Sequence, residues 1–168
     1  MIKYQLFPRT MAITPELQGV LLIFQSLYKS IDSDKHKFSS DKVLKKISKR
    51  LVDLGYSVEM GKSSSKKILV PVSFGINGKP EKSFNADALS INRDIVIEVE
   101  AGRAYTNHQF LKDIFQAAVM IEVRFLVLAV RNSYRTSDDF TKVYRFIDVM
   151  FSSGRINLDL DGVLLIGY

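Results

Sequence analysis

Apolar positions along the chain follow two rhythms, one of three to four residues and one of two, and their succession sets out the elements. Leu17, Val20, Leu21, Phe24, Leu27, Tyr28 and Ile31 form one stripe of a helix. Thr14-Pro15-Glu16 opens it with an N-cap hydroxyl, a proline at the first helical position and an acid in the first turn. The first ten residues read as an extended arm, and Ile31 to Phe38 as a polar linker. A second helix, Asp41 to Leu54, has the stripe Val43, Leu44, Ile47, Leu51 and Leu54; Ser39 or Ser40 caps it and Gly55 ends it. Tyr56 to Met60 and Ile68 to Phe74 read as strands joined by the basic loop from Gly61 to Lys67. Asn77-Gly78 signals a type I′ turn, which pairs the strand ending near Ile76 with Lys79 to Leu89 and puts Pro80 at that strand's start or edge. Asp94 to Ala101 then completes a three-stranded antiparallel meander.

After Gly102 the period returns to 3.6 from about Ala104 to Glu122, with Phe110, Leu111, Ile114, Phe115, Ala117, Ala118 and Ile121 on one side. The same wheel carries Arg103 and Asn107 onto that side at the helix start and turns Lys112 to solvent beside Gln116. Phe125 to Val130 is the continuous apolar run of a buried strand reached by a helical crossover. Thr136 and Asp139 have capping-box spacing ahead of a last helix, Gly154 stops it, and Val163 to Ile166 forms a last strand. The expected fold is α/β, a mixed β-sheet flanked by helices in the order ααβββαβαβ.

Two carboxylates interrupt the apolar run Ile95 to Ala101. Glu98 and Glu100 are two apart, so a strand sends both to one face. If Asn92-Arg93 is a two-residue turn, Leu89 faces Val96, Asp87 faces Glu98 and Asn85 faces Glu100, and three acids gather on that face. Carboxylates that close repel and raise one another's pKa unless a divalent cation lies between them. Oxygen-only ligands suit Mg²⁺ or Mn²⁺, and the chemistry they point to is metal-assisted attack on a phosphodiester. Glu59, on the strand after the second helix, is either a fourth ligand or, as is commoner for Glu, a surface acid.

At these residues the chain resembles the PD-(D/E)XK nuclease superfamily, the restriction-endonuclease-like fold. The family pattern is an Asp on one strand, then an acid, any residue and Lys on the next strand, then a helix. Asp87 matches the first acid and Glu98 the second, with ten residues between them. Glu100 stands where the family usually has Lys, as in some restriction enzymes, and Ala86 replaces the Pro that often precedes the Asp. The element order corresponds from about Asp41 to Val130. The resemblance implies one nuclease-like domain over residues 1–168, with an arm and docking helix in 1–38 and a core in 39–168. It implies Asp87, Glu98 and Glu100 as metal ligands and catalytic acids. Arg103 then either contacts the phosphate in place of the motif Lys or pairs with Glu98 or Glu100. The implied activity is an Mg²⁺-dependent endonuclease cutting DNA, duplex rather than single strand, in defence against foreign DNA.

Composition narrows the alternatives. The chain has no Cys and only His36 and His108, which excludes disulfides, thiolate zinc sites and Cys nucleophiles and leaves too few ligands for a His-based zinc site. No apolar run is long enough to span a bilayer, and Met1 to Met11 lacks a signal-peptide core, which points to a cytoplasmic protein without membrane contact. The net charge is +6, compatible with a polyanionic partner. Lys42, Lys45, Lys46, Lys49 and Arg50 cover the polar side of the second helix, as a solvated face or as a phosphate-backbone track. Lys66, Lys67 and Asn107 complete the expected nucleic-acid contacts, and a homodimer would let both strands be cut. The competing reading is a non-catalytic nucleic-acid-binding protein on the same fold.

Overall fold

The computed structural model describes every residue except 62, 64, 65 and 103. Eight strands and four helices run in the order β1(Lys3–Phe7), α1(Pro15–Ile31), α2(Ser40–Asp53), β2(Tyr56–Val58), β3(Ile68–Phe74), β4(Pro80–Ala86), β5(Ala88–Ser90), β6(Ile95–Glu100), α3(Gln109–Val119), β7(Phe125–Val130), α4(Asp139–Ser152) and β8(Gly162–Gly167). A mixed sheet has the order β1-β8-β7-β6-β5-β2, and β3 and β4 form a separate two-stranded sheet. The strands β6, β7 and β8 are mutually parallel, joined by the α3 and α4 crossovers, and antiparallel strands close both edges.

Alternation along β6 divides the core between the two faces of the sheet. Ile95, Ile97 and Val99 pack with Leu17, Val20 and Phe24 of α1 and Val43, Ile47 and Leu51 of α2. Val96 packs on the opposite face with Phe110, Ile114 and Ala117 of α3 and Val143, Ile147 and Met150 of α4. The central strands β7 and β8 are buried along their whole length, as parallel strands covered on both faces must be.

The helix starts follow the chemistry of their caps. Thr14 accepts from the Leu17 N–H with Pro15 at the first position, and Ser39 accepts from the Lys42 N–H. Gly55 takes φ +93 immediately after α2, and Asn77 and Gly78 take φ 63 and 69 at the β3–β4 turn, both in the left-handed region that the Asn-Gly pair favours.

Five expectations need correction. The arm is a strand: Lys3–Phe7 pairs with β8, where Leu6 and Phe7 become core. Five strands lie between α2 and α3, one more than the four stretches read as strands there and two more than the expected element order, because the stretch expected to run unbroken from Lys79 to Leu89 breaks at Asp87. Its first part pairs with β3 and its second with β2 and β6, so no meander forms. The turn after β5 spans Ser90 to Asp94, with the Arg93 N–H donating to Ser90 O at 2.9 Å and Arg93, not Asn92, at positive φ. The third helix begins at Gln109 rather than Ala104, since His108 takes φ 52 and interrupts the helical backbone. Finally, α4 is capped by Asp138, whose carboxylate accepts from the Thr141 N–H, and not by Thr136.

Gly102 lies two residues beyond Glu100 with φ +98, and a Cβ there would sit 2.5 Å from the Tyr134 ring. Both the backbone region and the contact demand glycine, and a residue forced into such a region costs of order 1–3 kcal/mol. Gly102→Ala is expected to lower the unfolding free energy by at least about 1 kcal/mol in urea titration. An unchanged urea midpoint would show that the end of β6 is not locked against Tyr134.

Candidate active site

The sheet ladder brings the acids together. β5 and β6 pair Ala88 with Ile97 and Leu89 with Val96, the register expected from the sequence. Beyond Ala88 the backbone ladder stops, and the Asp87 side chain takes over by accepting the Val99 N–H at 2.8 Å. On the other side the Asp87 carbonyl accepts the Glu59 N–H at 2.8 Å, so Asp87 is tied to both neighbouring strands. Glu98 and Glu100 project from β6 to the face covered by α3, as does Asp113 from the helix. A pocket of about 310 Å³ collects Asp87, Glu98, Glu100, Asp113, Lys112 and Asn85.

Asp113 is the main residue that sequence reasoning missed. It is 3% exposed, and its Oδ2 has no hydrogen-bond partner among the described residues. The signal was present: Phe110, Asp113, Ile114 and Ala117 are the buried positions of α3, at helical spacing, so an acid sits inside the apolar stripe. Phe115, expected in that stripe, is instead half exposed. Lys112 is exposed beside Gln116, as expected, and stands on the rim of the acid pocket, where its charge favours the ionised forms of Glu98, Glu100 and Asp113.

No arrangement of ordinary surface acids behaves as these do. Burial pushes the Asp87 carboxyl up to about 6; the Val99 N–H pulls it back, while Glu59, Glu100 and Asp41 push it further. Burial also raises Glu98 well above the usual carboxylate range, with Asp87, Asp113 and Glu100 adding to it. Burial and the Glu100 charge push Asp113 up to about 8. Glu100 is raised by burial, while its neighbour Asp113 and the Lys112 charge pull it back. Lys112 is the one cation whose charge opposes these shifts among the described residues.

No family model matches the chain, and no curated protein matches it. Function must therefore be argued from the side chains alone. Among the described residues no group of three or more His, Asp or Glu side chains is arranged as a ready-made ion cage. The donor set nevertheless suits a hard divalent cation: it is all oxygen, partly withdrawn from water, short of positive charge, and includes the orphaned Oδ2 of Asp113. Mg²⁺ needs only one or two carboxylates, with water and substrate phosphate filling the remaining positions.

The remaining expected contacts are spread around this pocket. Lys45, Lys46 and Lys49 are exposed on α2, where Lys42 and Lys46 also lie 4.0 and 5.3 Å from the centre of the Phe38 ring. Lys66 is exposed and Lys67 half-buried at the start of the β3–β4 hairpin. Asn107 is exposed in the loop before α3 and lines a shallow cleft with Tyr134 and Arg135, away from the acid pocket, because the helix that would have aimed it inward starts two residues later. Arg103 lies outside the described residues. No described helix is long and apolar enough to cross a membrane.

Asp113 and Asp87 hold protons in the folded chain that an unfolded aspartate, titrating near 3.8, releases. Between 3.8 and about 8 the native state therefore binds more protons than the unfolded state, so stability falls as pH rises and the penalty is complete above the Asp113 value. In metal-free buffer the melting temperature is expected to fall from pH 5 to pH 8.5. Asp113→Asn should raise it at pH 8.5 by about 2–4 °C for each kcal/mol of relieved burial, and flatten the pH profile. A lower melting temperature for Asp113→Asn at pH 8.5 would mean that the carboxylate is paired by a charge that stabilises the fold.

Proposed function

We propose that this protein is a metal-dependent phosphodiesterase that hydrolyses DNA, built on a restriction-endonuclease-like core. The observation that carries the reading is the convergence of Asp87, Glu98, Glu100 and Asp113 in one pocket with Lys112 the one cation facing them among the described residues. Buried carboxylates are expensive unless paired or bound to a metal, and four at one place are better explained by a ligand than by packing. The element order supports the same reading. Asp87 immediately precedes β5, one strand of a hairpin, Glu98 and Glu100 lie on the other, and a helix crosses over to a parallel strand.

Asp87 and Glu98 would hold Mg²⁺ or Mn²⁺, with Glu100 as a further oxygen donor, and the ion would supply Lewis-acid polarisation of the scissile phosphate and a water of lowered pKa. The chain's own residues do the rest. The Val99 N–H fixes the Asp87 carboxylate, so that one oxygen stays turned toward the pocket. Asp113, pushed up to about 8 beside Glu100, would keep its proton at neutral pH and so limit the negative charge facing the phosphate. Lys112 supplies from α3 the positive charge that the family pattern places on the strand at the position of Glu100. The exposed lysines of α2 give the phosphate backbone a track leading to Asp87, since Lys45 lies in a cleft that Asp87 also lines. Arg103 stays a candidate for a further phosphate contact.

Supercoiled plasmid and single-stranded DNA are expected to be cut with Mg²⁺ or Mn²⁺, and not in chelator. Glu98→Ala should abolish cutting, and Lys112→Ala should slow it about 10²-fold, the scale of losing one group that stabilises developing charge. Cutting by Glu98→Ala at the wild-type rate, or no metal-dependent cutting of any DNA, would contradict the proposal. In the second case, DNA binding indifferent to metal would favour the non-catalytic reading.

A further inference from the structure

A second cleft, of about 320 Å³, opens on the other side of Asp87. Asp41, Leu44, Lys45 and Ser48 of α2 form one wall, Glu59 and Met60 beyond β2 form the other, and Asp87 lines both this cleft and the acid pocket. Whatever occupies the cleft therefore sits one residue away from the proposed site of phosphodiester cleavage. Its size is at the small end of ligand pockets, which run from about 300 Å³ upward.

The lining is of two kinds. Leu44 and Met60 give an apolar surface; Met60 is 69% exposed, and its flexible thioether can lie against a flat ring. The polar groups are mostly acceptors. Asp41 and Glu59 take part in no ion pair or side-chain hydrogen bond among the described residues. The Ser48 hydroxyl spends its hydrogen on Lys45 O at 2.9 Å, leaving its oxygen free to accept. Among the described residues Lys45 is the one cation on the wall.

We infer that this cleft receives a single unstacked nucleobase bearing an exocyclic amino group, that of a nucleotide adjoining the phosphate to be cut. This rests on the phosphodiesterase reading for the identity of the polymer. A base presents two flat apolar faces and an edge of hydrogen-bonding groups, which is the complement of apolar walls rimmed by acceptors. Carboxylates accept from the cytosine N4 amino group in direct readout, whereas thymine has only a carbonyl at that position. A base inside a duplex cannot reach such a cleft without leaving the stack, so the preferred substrate has an unpaired nucleotide: single-stranded, gapped or mismatched DNA in preference to intact duplex.

Uncharged nucleosides test this without metal or phosphate. Deoxycytidine titrated into the metal-free protein is expected to shift the Leu44 and Met60 methyl resonances, with a Kd at least fivefold below that of thymidine, while 2-deoxyribose shifts neither. Ser48→Phe fills the cleft and should remove the response with the circular dichroism unchanged; Met60→Ala, at an exposed position, should weaken it if Ser48→Phe fails to fold. No methyl shift with any nucleoside, equal binding of thymidine, or a full response in the filled variant would overturn the inference. Plasmid cutting without nucleoside binding would reject the base cleft and leave the phosphodiesterase standing. Nucleoside binding without cutting of any DNA would do the reverse.

Discussion

The hydrogen bond from the Val99 N–H to the Asp87 carboxylate determines how the centre of the protein is laid out. A backbone N–H in a sheet must find an acceptor, and at this point a side chain supplies it instead of the neighbouring strand. The exchange frees the chain at Asp87 to leave one sheet for the other: Ala86 still pairs with Ile68 of β3, while Ala88 already pairs with Val58 and Ile97 of the main sheet. The β3–β4 hairpin thereby stands beside the pocket, with Ser83, Phe84 and Asn85 in its wall, and Asp87 is held from two sides at the junction of two cavities. A backbone break that would weaken an ordinary strand here fixes a carboxylate in place.

The same layout works against the stability of the fold. Asp87, Glu98, Glu100 and Asp113 are all held above their ordinary titration range, with burial as the largest cause for each. Near neutral pH the native state carries protons or repulsion that the unfolded chain escapes. The buried layers on both faces of the sheet, where β7 and β8 show no exposed position, supply the stability that tolerates this cost. Strain of that kind, concentrated at one pocket, is what a ligand-binding site requires and a structural core avoids.

Much of the fold was legible in the sequence because it depends on local rules. Thr14-Pro15, Ser39, Gly55 and Asn77-Gly78 act through their own backbone geometry, and the register of Leu89 with Val96 follows from alternation. The errors arose where distant contacts decide. The arm Lys3–Phe7 becomes a strand because β8 offers it an open edge, and nothing in its own composition announces that. The break at Asp87 depends on Val99, twelve residues away. Helix α3 begins late because His108 adopts a left-handed backbone, and its buried positions are Phe110, Asp113, Ile114 and Ala117, with Lys112 at the pocket's rim. The first three acids of the site were therefore readable from strand periodicity, and the fourth only from an acid that breaks an apolar helical stripe.

The central claim is that the clustered carboxylates are built to hold a divalent cation. Thermal unfolding at pH 8 with and without Mn²⁺ tests it most directly, because a ligand that binds only the native state raises the melting temperature by mass action. The account predicts a rise that grows with Mn²⁺ concentration in the wild type and vanishes in Glu98→Gln. An unchanged melting temperature up to millimolar Mn²⁺, or an equal rise in Glu98→Gln, would contradict it.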